Sequence, residues 1–293
     1  MDINNQFFEN KFKIERGVHI LNENDGYTEN FGKQWKKYTN TQIDSLNNFK
    51  ISNKLLTKLF FNNLNIIKNK NVLEIGSGAG RFTEIIIKYA KTCTTVDMSS
   101  AIYFNVSKNN PKLSRIKADF INLTTKKKFD IVICRGVLQH TPDPFKYLEK
   151  LFDFIGKEGI VVFDIYKMPK LKLFHPKYLI WRPIFLNLIN YSRTEIFLQN
   201  NIKTLLYMKR LIKKIFFNSS LISDSIIPIW DYKNKILLDE KRLQEWSILD
   251  TLDGLYAKYD KPKTNKSVVN FLNLKNKKIK KNNIKNNNFI VSN

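Results

Sequence analysis

Between residues 71 and 165, short apolar runs alternate with stretches whose apolar residues recur every three or four positions. The runs are 71–75, 92–97, 114–118, 129–134 and 159–165. Each is short enough to read as a strand. Helical periodicity occupies 80–90, 100–108 and FKYLEKLFDFI after Pro144. Ser99 or Ser100 is placed to cap the second of these helices, Asp143 in Asp143-Pro144 to cap the third, and Gly156 to end it. Strands alternating with helices predict a parallel sheet with ligands at the strands' carboxyl ends. Every chemically suggestive residue of this region falls at such an end: Glu74, Asp97, Asp119, the 135–143 loop, and Asp164 to Tyr166.

Outside that region the pattern changes. GVHIL (17–21) predicts one strand. Tyr27, Phe31, Trp35 and Tyr38 lie about one helical turn apart from Phe31 onward. They form either a stripe packed on the main domain or a lid whose Trp35 or Gln34 touches a ligand. Residues 50–67 read as an amphipathic helix. Residues 166–231 are helical, basic and aromatic, with 203–217 as a basic amphipathic helix and His175 as a residue that could face substrate. This insertion either caps the core with a solvated basic face, or meets an anionic lipid surface or a phosphorylated substrate. IIPIWDY (226–232) reads as a strand returning to the core, 245–264 as an Asp- and Tyr-rich segment ending in a turn, and 267–274 as a helix. The tail reads as a hairpin closing the sheet edge, its lysines guarding that edge. The expected division is an extension or lid (1–49), a core (50–165), a cap (166–231) and a return to the core with the last helix and closing strands (232–293).

The 293 residues suffice for one large core or a core with a smaller second domain. A net charge of +24 changes the picture only in part. The chain is crowded with Lys, Asn and Ile, so compositional bias accounts for the charge as readily as an anionic partner does. Cys93 and Cys134 fall in predicted strands and read as small apolar residues, so neither a disulfide framework nor a zinc site is expected, and no metal. The N-terminus has no signal-peptide character, and no apolar run reaches the roughly 18 residues of a membrane span. The best candidate, YLIWRPIFLNLI, carries Arg182 and Pro183. The chain is expected in the cytoplasm, with peripheral contact at the inner face of the membrane as a further expectation of the basic cap.

The turn IGSGAGR follows the first strand and opens a helix. Glycine there lets a ligand approach the backbone at the positive end of a helix. Two acids sharpen the reading. Glu74 stands two residues before Gly76, where a dinucleotide fingerprint has an apolar residue, and a carboxylate there suits an ammonium group rather than a pyrophosphate. This disfavours a nicotinamide oxidoreductase, the runner-up. Asp97 ends the next strand, at the distance where a carboxylate accepts from ribose hydroxyls. S-adenosylmethionine (SAM) carries an amino group at one end and a ribose at the other. A ligand-free strand–helix turn is the plain alternative.

These stretches resemble the class I SAM-dependent methyltransferases, and within them a bacterial subgroup associated with surface-polysaccharide biosynthesis. LEIGSGAGRFT (73–83) resembles the first SAM motif, VDMS (96–99) the ribose motif, KADF (117–120) the adenine-side motif, and 129–144 the fourth motif and its extension. FGKQWKKYTNTQIDS and LDTLDGLYAKYDKPKT resemble signatures of the subgroup. The resemblance implies an α/β Rossmann-like fold with a seven-stranded, mostly parallel sheet, an N-terminal helical extension and a helical cap inserted after strand five. It implies that Glu74, Gly76, Ser77, Gly78 and Gly80 hold the methionine end of SAM. Asp97 would take the ribose, with Met98 against adenine. Asp119 would accept from the adenine amino group, with Phe120 beside the ring. Cys134, Arg135 and Gly136 would line the methyl-bearing side. Family members often carry a zinc module ahead of FGKQW, of which this chain has only a remnant around RGVHIL and no cysteines.

Methyl transfer needs alignment, and an oxygen or nitrogen acceptor also needs a base. His140 is the first candidate and Asp143 and Tyr166 the second, although His140 could equally cap a helix and Asp143 is also placed as an N-cap. The expected reaction is methylation of a small-molecule, glycan-precursor or lipid-linked acceptor. The alternative is an RNA methyltransferase using the basic surface, against which counts the lack of an NPPY-like run after strand four. A non-catalytic SAM-fold scaffold is the third reading, disfavoured by the full motif set.

Overall fold

The computed structural model describes residues 7–39, 41–47, 49–169, 175–217, 219–236 and 238–293. They divide into two units, one from 1–168 and 259–293 and the other from 169–258.

The first unit is built on a nine-stranded sheet. Its strands are β1 (Lys13–Glu15), β2 (Val18–Ile20), β3 (Asn71–Ile75), β4 (Thr92–Asp97), β5 (Leu113–Lys117), β6 (Phe129–Cys134), β7 (Ile155–Asp164), β8 (Lys278–Asn283) and β9 (Asn288–Ser292). Their order is β1-β2-β5-β4-β3-β6-β7-β9-β8. Strands β2 to β7 run parallel, and β1, β8 and β9 are antiparallel to their neighbours. Because β3 pairs with β4 on one side and β6 on the other, the strand order reverses at β3, and such a reversal opens a crevice at the carboxyl ends. Side chains alternate across the pleat. Leu73 and Ile75 pack on one face with Leu148 and Leu151 of α5 (Pro144–Asp153) and Leu272 of α10 (Asn265–Leu274). Val72 packs on the other with Leu56 of α3 (Ile51–Leu59) and Ile86 of α4 (Thr83–Tyr89).

The extension before the sheet carries the short α1 (Glu29–Lys37) and α2 (Asp44–Asn47). The strand predicted at 17–21 is β2, and the unpredicted β1 pairs with it in a hairpin whose Arg16-Gly17 turn has both φ angles positive, as a two-residue hairpin requires; the two raise the sheet from seven strands to nine. The predicted helix 50–67 stops at Leu59, because Phe61 and Asn62 adopt left-handed φ, and resumes only as a short turn at Leu64–Ile67. The predicted helix 100–108 is a single turn, Ser100–Phe104, capped by Ser99. Gly156 does not end a helix. α5 stops at Asp153, and β7 already pairs at Ile155 with Phe129. The closing hairpin lies at the sheet edge as expected, with Lys278, Lys280 and Lys281 of β8 exposed there.

The second unit is helical: α6 (Arg182–Leu188), α7 (Tyr191–Ile215), α8 (Ser220–Ile226) and α9 (Glu240–Tyr256). Leu198, Ile202 and Leu206 recur every four residues on the buried face of α7, which packs on α9. The unit therefore extends to residue 258 rather than ending at 231, and EWSILDTLDGLY is one of its helices. Residues 226–232 are not a strand: Pro228 has no amide to donate, and Lys209 Nζ and Thr251 Oγ1 engage the Ile229 carbonyl and Trp230 amide. Gly254 is required where the Trp230 ring crosses, since a Cβ there would stand 2.5 Å from it. Arg182, the residue that interrupts the membrane-like run, donates to the Gly254 carbonyl at 2.9 Å and the Ala257 carbonyl at 2.6 Å. Among the described residues no helix is long and apolar enough to cross a membrane.

Candidate active site

The glycine turn is shaped by three positive φ angles, +76° at Gly76, +52° at Gly78 and +94° at Gly80. Space is as tight as the angles. A Cβ on Gly76 would stand 2.1 Å from Val137, and one on Gly80 2.4 Å from Asn105 Oδ1. The turn is fastened to the next strand: Gly76 donates to the Val96 carbonyl at 2.7 Å, and Gly78 donates to Asp97 Oδ2 at 2.7 Å. The second Asp97 oxygen accepts from the Ser99 amide at 2.8 Å and hydroxyl at 2.6 Å. Ser77 Oγ is buried with no hydrogen-bond partner among the described residues.

Glu74 is 2% exposed, and the Thr83 hydroxyl donates to it at 2.6 Å. Burial pushes its carboxyl up to about 8, against the Thr83 bond and with help from the nearby Asp97. Burial likewise raises Asp97 above its ordinary value. Two carboxyls thus stand at the ends of adjacent strands with an orphaned hydroxyl and a glycine cradle between them. This donor set fits a ligand that brings a cation and a hydroxylated ring.

Three further residues lie beside this cradle, of which only Tyr27, through the aromatic stripe, has a signal in the sequence. Asp25 accepts from the Ser100 amide at 2.8 Å and pairs with buried Lys117 at 3.0 Å, fixing the turn after Asp97. Tyr27 and Tyr147 donate to Asp119 Oδ2 at 3.4 and 2.8 Å. Asp119 is therefore engaged by two tyrosines from distant segments, and Phe120 is a buried core residue packed edge-on against Tyr147 at 5.1 Å. Met98 lies against Gly26, where a Cβ would come within 2.3 Å of its methyl. The expected lid residues divide. Trp35 lies over the cradle, 3.1 Å from where a Gly78 Cβ would be, whereas Gln34 is buried.

On the β6 side, Cys134 differs from expectation. Its thiol is wholly buried in the sheet core, so its side chain lines nothing. Gly136 donates to Asp164 Oδ1 at 2.6 Å, and apart from its chain neighbours no atom of the described residues lies within 4 Å of its would-be Cβ. Arg135 lies over the Phe82 ring at 5.0 Å and 3.6 Å from Asp164. Asp164 was visible only as an acid ending a strand.

His140 is 7% exposed and held on three sides. Its ring packs edge-on against Phe31 at 5.2 Å and Tyr166 at 5.4 Å. Nδ1 lies 2.9 Å from the Tyr259 carbonyl, which can only accept, so Nδ1 carries the proton. Nε2 then presents a lone pair, buried and with no partner among the described residues. The other two catalytic candidates part from it. Asp143 is exposed and caps α5, accepting from the Phe145 and Lys146 amides at 3.0 and 3.3 Å. Tyr166 is 43% exposed and serves as a wall for His140.

Residues 48–187 match the model of a family described as a methyltransferase domain. A ubiquinone biosynthesis O-methyltransferase from Coxiella burnetii (strain Dugway 5J108-111) is 31% identical over 104 residues, covering 33% of this chain and 44% of that protein. One from Pseudomonas fluorescens (strain Pf0-1) is 30% identical over 115 residues, covering 37% and 50%. The chain thus spans about half the length of the curated relatives it matches. Among solved structures, the N-methyltransferase NodS from Bradyrhizobium japonicum WM9 in complex with S-adenosyl-L-homocysteine is 22% identical, with a TM-score of 0.40 over 48% of this chain and 75% of that one. The core of this chain is a Rossmann-like α/β unit with a mostly parallel sheet, and residues 48–187, from it and the segment that follows, match a methyltransferase-domain model.

Proposed function

We propose that this chain is a SAM-dependent methyltransferase, moving the methyl group of SAM to an oxygen or nitrogen of a small-molecule, glycan-precursor or lipid-linked acceptor. The observation that carries the reading is the pair of carboxyls, buried Glu74 and half-buried Asp97, joined by a glycine turn whose Gly78 amide Asp97 holds. Glu74, Ser77 and the turn would receive the amino-acid end. Beyond the three bonds it already accepts, Asp97 keeps about one acceptor site, on Oδ2, for a ribose hydroxyl. Asp119 would act on the adenine side only with Tyr27 and Tyr147 sharing it. Bound there, SAM supplies a methyl already activated by its sulfonium. Placement and proton removal remain for the protein. His140 suits the second task, because the Tyr259 carbonyl fixes its tautomer and leaves the Nε2 lone pair to accept a proton.

The naming of the curated relatives as O-methyltransferases supports oxygen as the acceptor atom. Resemblance of the FGKQW and LDTLDG stretches to the polysaccharide-associated subgroup supports a glycan precursor. The RNA alternative rests on charge alone and requires binding that falls steeply with salt. Peripheral contact with an anionic membrane, from the cytoplasmic side, is supported by α7. Its Ile196, Phe197, Tyr207, Met208, Leu211 and Ile215 are exposed and fall within about one third of the helix circumference. The helix carries one acid, Glu195, against Arg193, Lys203, Lys209, Arg210, Lys213 and Lys214.

Calorimetric titration tests the cofactor site. Asp97→Ala should weaken SAM binding at least about tenfold, and an unchanged affinity refutes the assignment. His140→Asn should lower kcat by roughly 10²- to 10⁴-fold with SAM affinity intact. Undiminished turnover removes His140 as the base. Sedimentation with vesicles tests the membrane contact: Phe197→Ser with Ile215→Ser should abolish binding to anionic vesicles, and retention of binding refutes it.

A further inference from the structure

The second unit holds a cavity of about 320 Å³. Its charges are unequal: Lys177, Lys209, Arg210, Lys213, Lys233 and Lys235 face only Asp224 and Asp231. Both acids are already engaged. Asp224 lies 2.6 Å from Lys209, and Asp231 takes Arg210 through both oxygens at 2.8 and 2.9 Å. Besides Lys177, three lysines remain in surplus. Lys177 lies over the Trp230 ring at 5.3 Å, and the side chains of Lys213, Lys233 and Lys235 have no hydrogen bond or ion pair among the described residues. Like charges gathered around a concavity repel one another, and an anion seated among them removes that cost.

The uncharged part of the wall agrees. His175 Nδ1 accepts from the Lys177 amide at 3.3 Å, so the neutral ring carries its proton on Nε2 and is a donor. Burial, and after it the Lys177 ammonium, holds this imidazole below its ordinary value and keeps it neutral. Ser220 adds a hydroxyl, and Trp230 adds a flat apolar wall. We propose that this cavity binds a phosphate or diphosphate ester, its phosphoryl oxygens on the surplus lysines and its organic group against Trp230. The volume is at the small end of ligand pockets, which suits a diphosphate carrying one ring-sized group. The inference stands apart from methyl transfer and uses none of its residues.

The test is calorimetry of the full chain with inorganic pyrophosphate at physiological salt. The wild type should show saturable binding at one site. Lys213→Glu with Lys233→Glu should weaken it at least tenfold while thermal unfolding is unchanged, and Lys213→Gln with Lys233→Gln gives the same comparison should the glutamates disturb the fold. A second arm uses vesicles bearing phosphatidic acid. Release of the protein from them by pyrophosphate identifies a lipid headgroup as the source of the phosphate. Pyrophosphate binding without such competition identifies a free phosphorylated compound. Absence of saturable pyrophosphate binding, or binding equally tight in both variants, overturns the proposal.

Discussion

Glu74 makes the candidate site a proton-releasing one. Its carboxyl moves from an ordinary value of 4.5 to about 8 on burial in the folded chain. The sign follows from which state keeps the proton. Between those two values the unfolded chain ionises Glu74 while the folded chain does not, so stability is greatest below the lower value and declines as pH rises through the window. Above the upper value the loss is complete and flat. At about 1.4 kcal/mol per pH unit, Glu74 costs the ligand-free fold about 3 kcal/mol by pH 7. Glu74→Gln removes this cost, because an amide of the same shape does not ionise. Urea unfolding of both proteins from pH 5 to 8.5 measures it, and the difference between them cancels the groups that are not coupled to Glu74. The variant's advantage should grow by roughly 1.4 kcal/mol per unit and level off near the folded value. A cationic ligand reverses the balance. At pH 7 the free site holds about 0.9 of a proton, which an ammonium group should displace. SAM titrations in buffers of different ionisation enthalpy should show that release in the wild type and none in Glu74→Gln. Parallel stability curves, or binding without proton release, would refute the reasoning.

Gly80→Ala places a Cβ 2.4 Å from Asn105 Oδ1 at a φ of +94°, and should cost about 2–3 kcal/mol in urea unfolding. Tyr147→Phe removes the 2.8 Å bond to Asp119 and should cost about 1.5–3 kcal/mol, read the same way. Arg182→Met leaves the Gly254 and Ala257 carbonyls without their buried donors. Amides in the last turn of α9 should then exchange faster with solvent, at about 1–3 kcal/mol per lost partner, while those of β3 to β6 stay protected.

The parallel core and its glycine turn were legible because their signals are local. A five-residue run such as NVLEI, buried at four of its positions, has no other stable home than a covered sheet. Glu74 and Asp97 were legible because strand ends and ligand sites coincide in such sheets. β1 was not, since all three of its residues are exposed and their pattern carries no buried face. The tyrosines on Asp119 were not, because Tyr27 is 92 residues away from it in sequence and nothing local marks the pairing. The destination of α9 was equally hidden: an apolar helix face shows that a helix is buried, not which unit buries it. Cys134 was misplaced for a related reason. Position at a strand end brings the backbone to the crevice, but the pleat turned this side chain into the core.

Trp35, lying across the glycine cradle, has an optical consequence. The chain has four tryptophans, and Trp181, Trp230 and Trp246 all belong to the second unit. The cradle therefore contains the sole indole of the sheet-bearing unit. Replacing the other three by phenylalanine would leave a fluorophore whose emission reports the seat of the ligand alone. Occupancy of the cradle could then be followed in real time without a label, before any methyl acceptor is known.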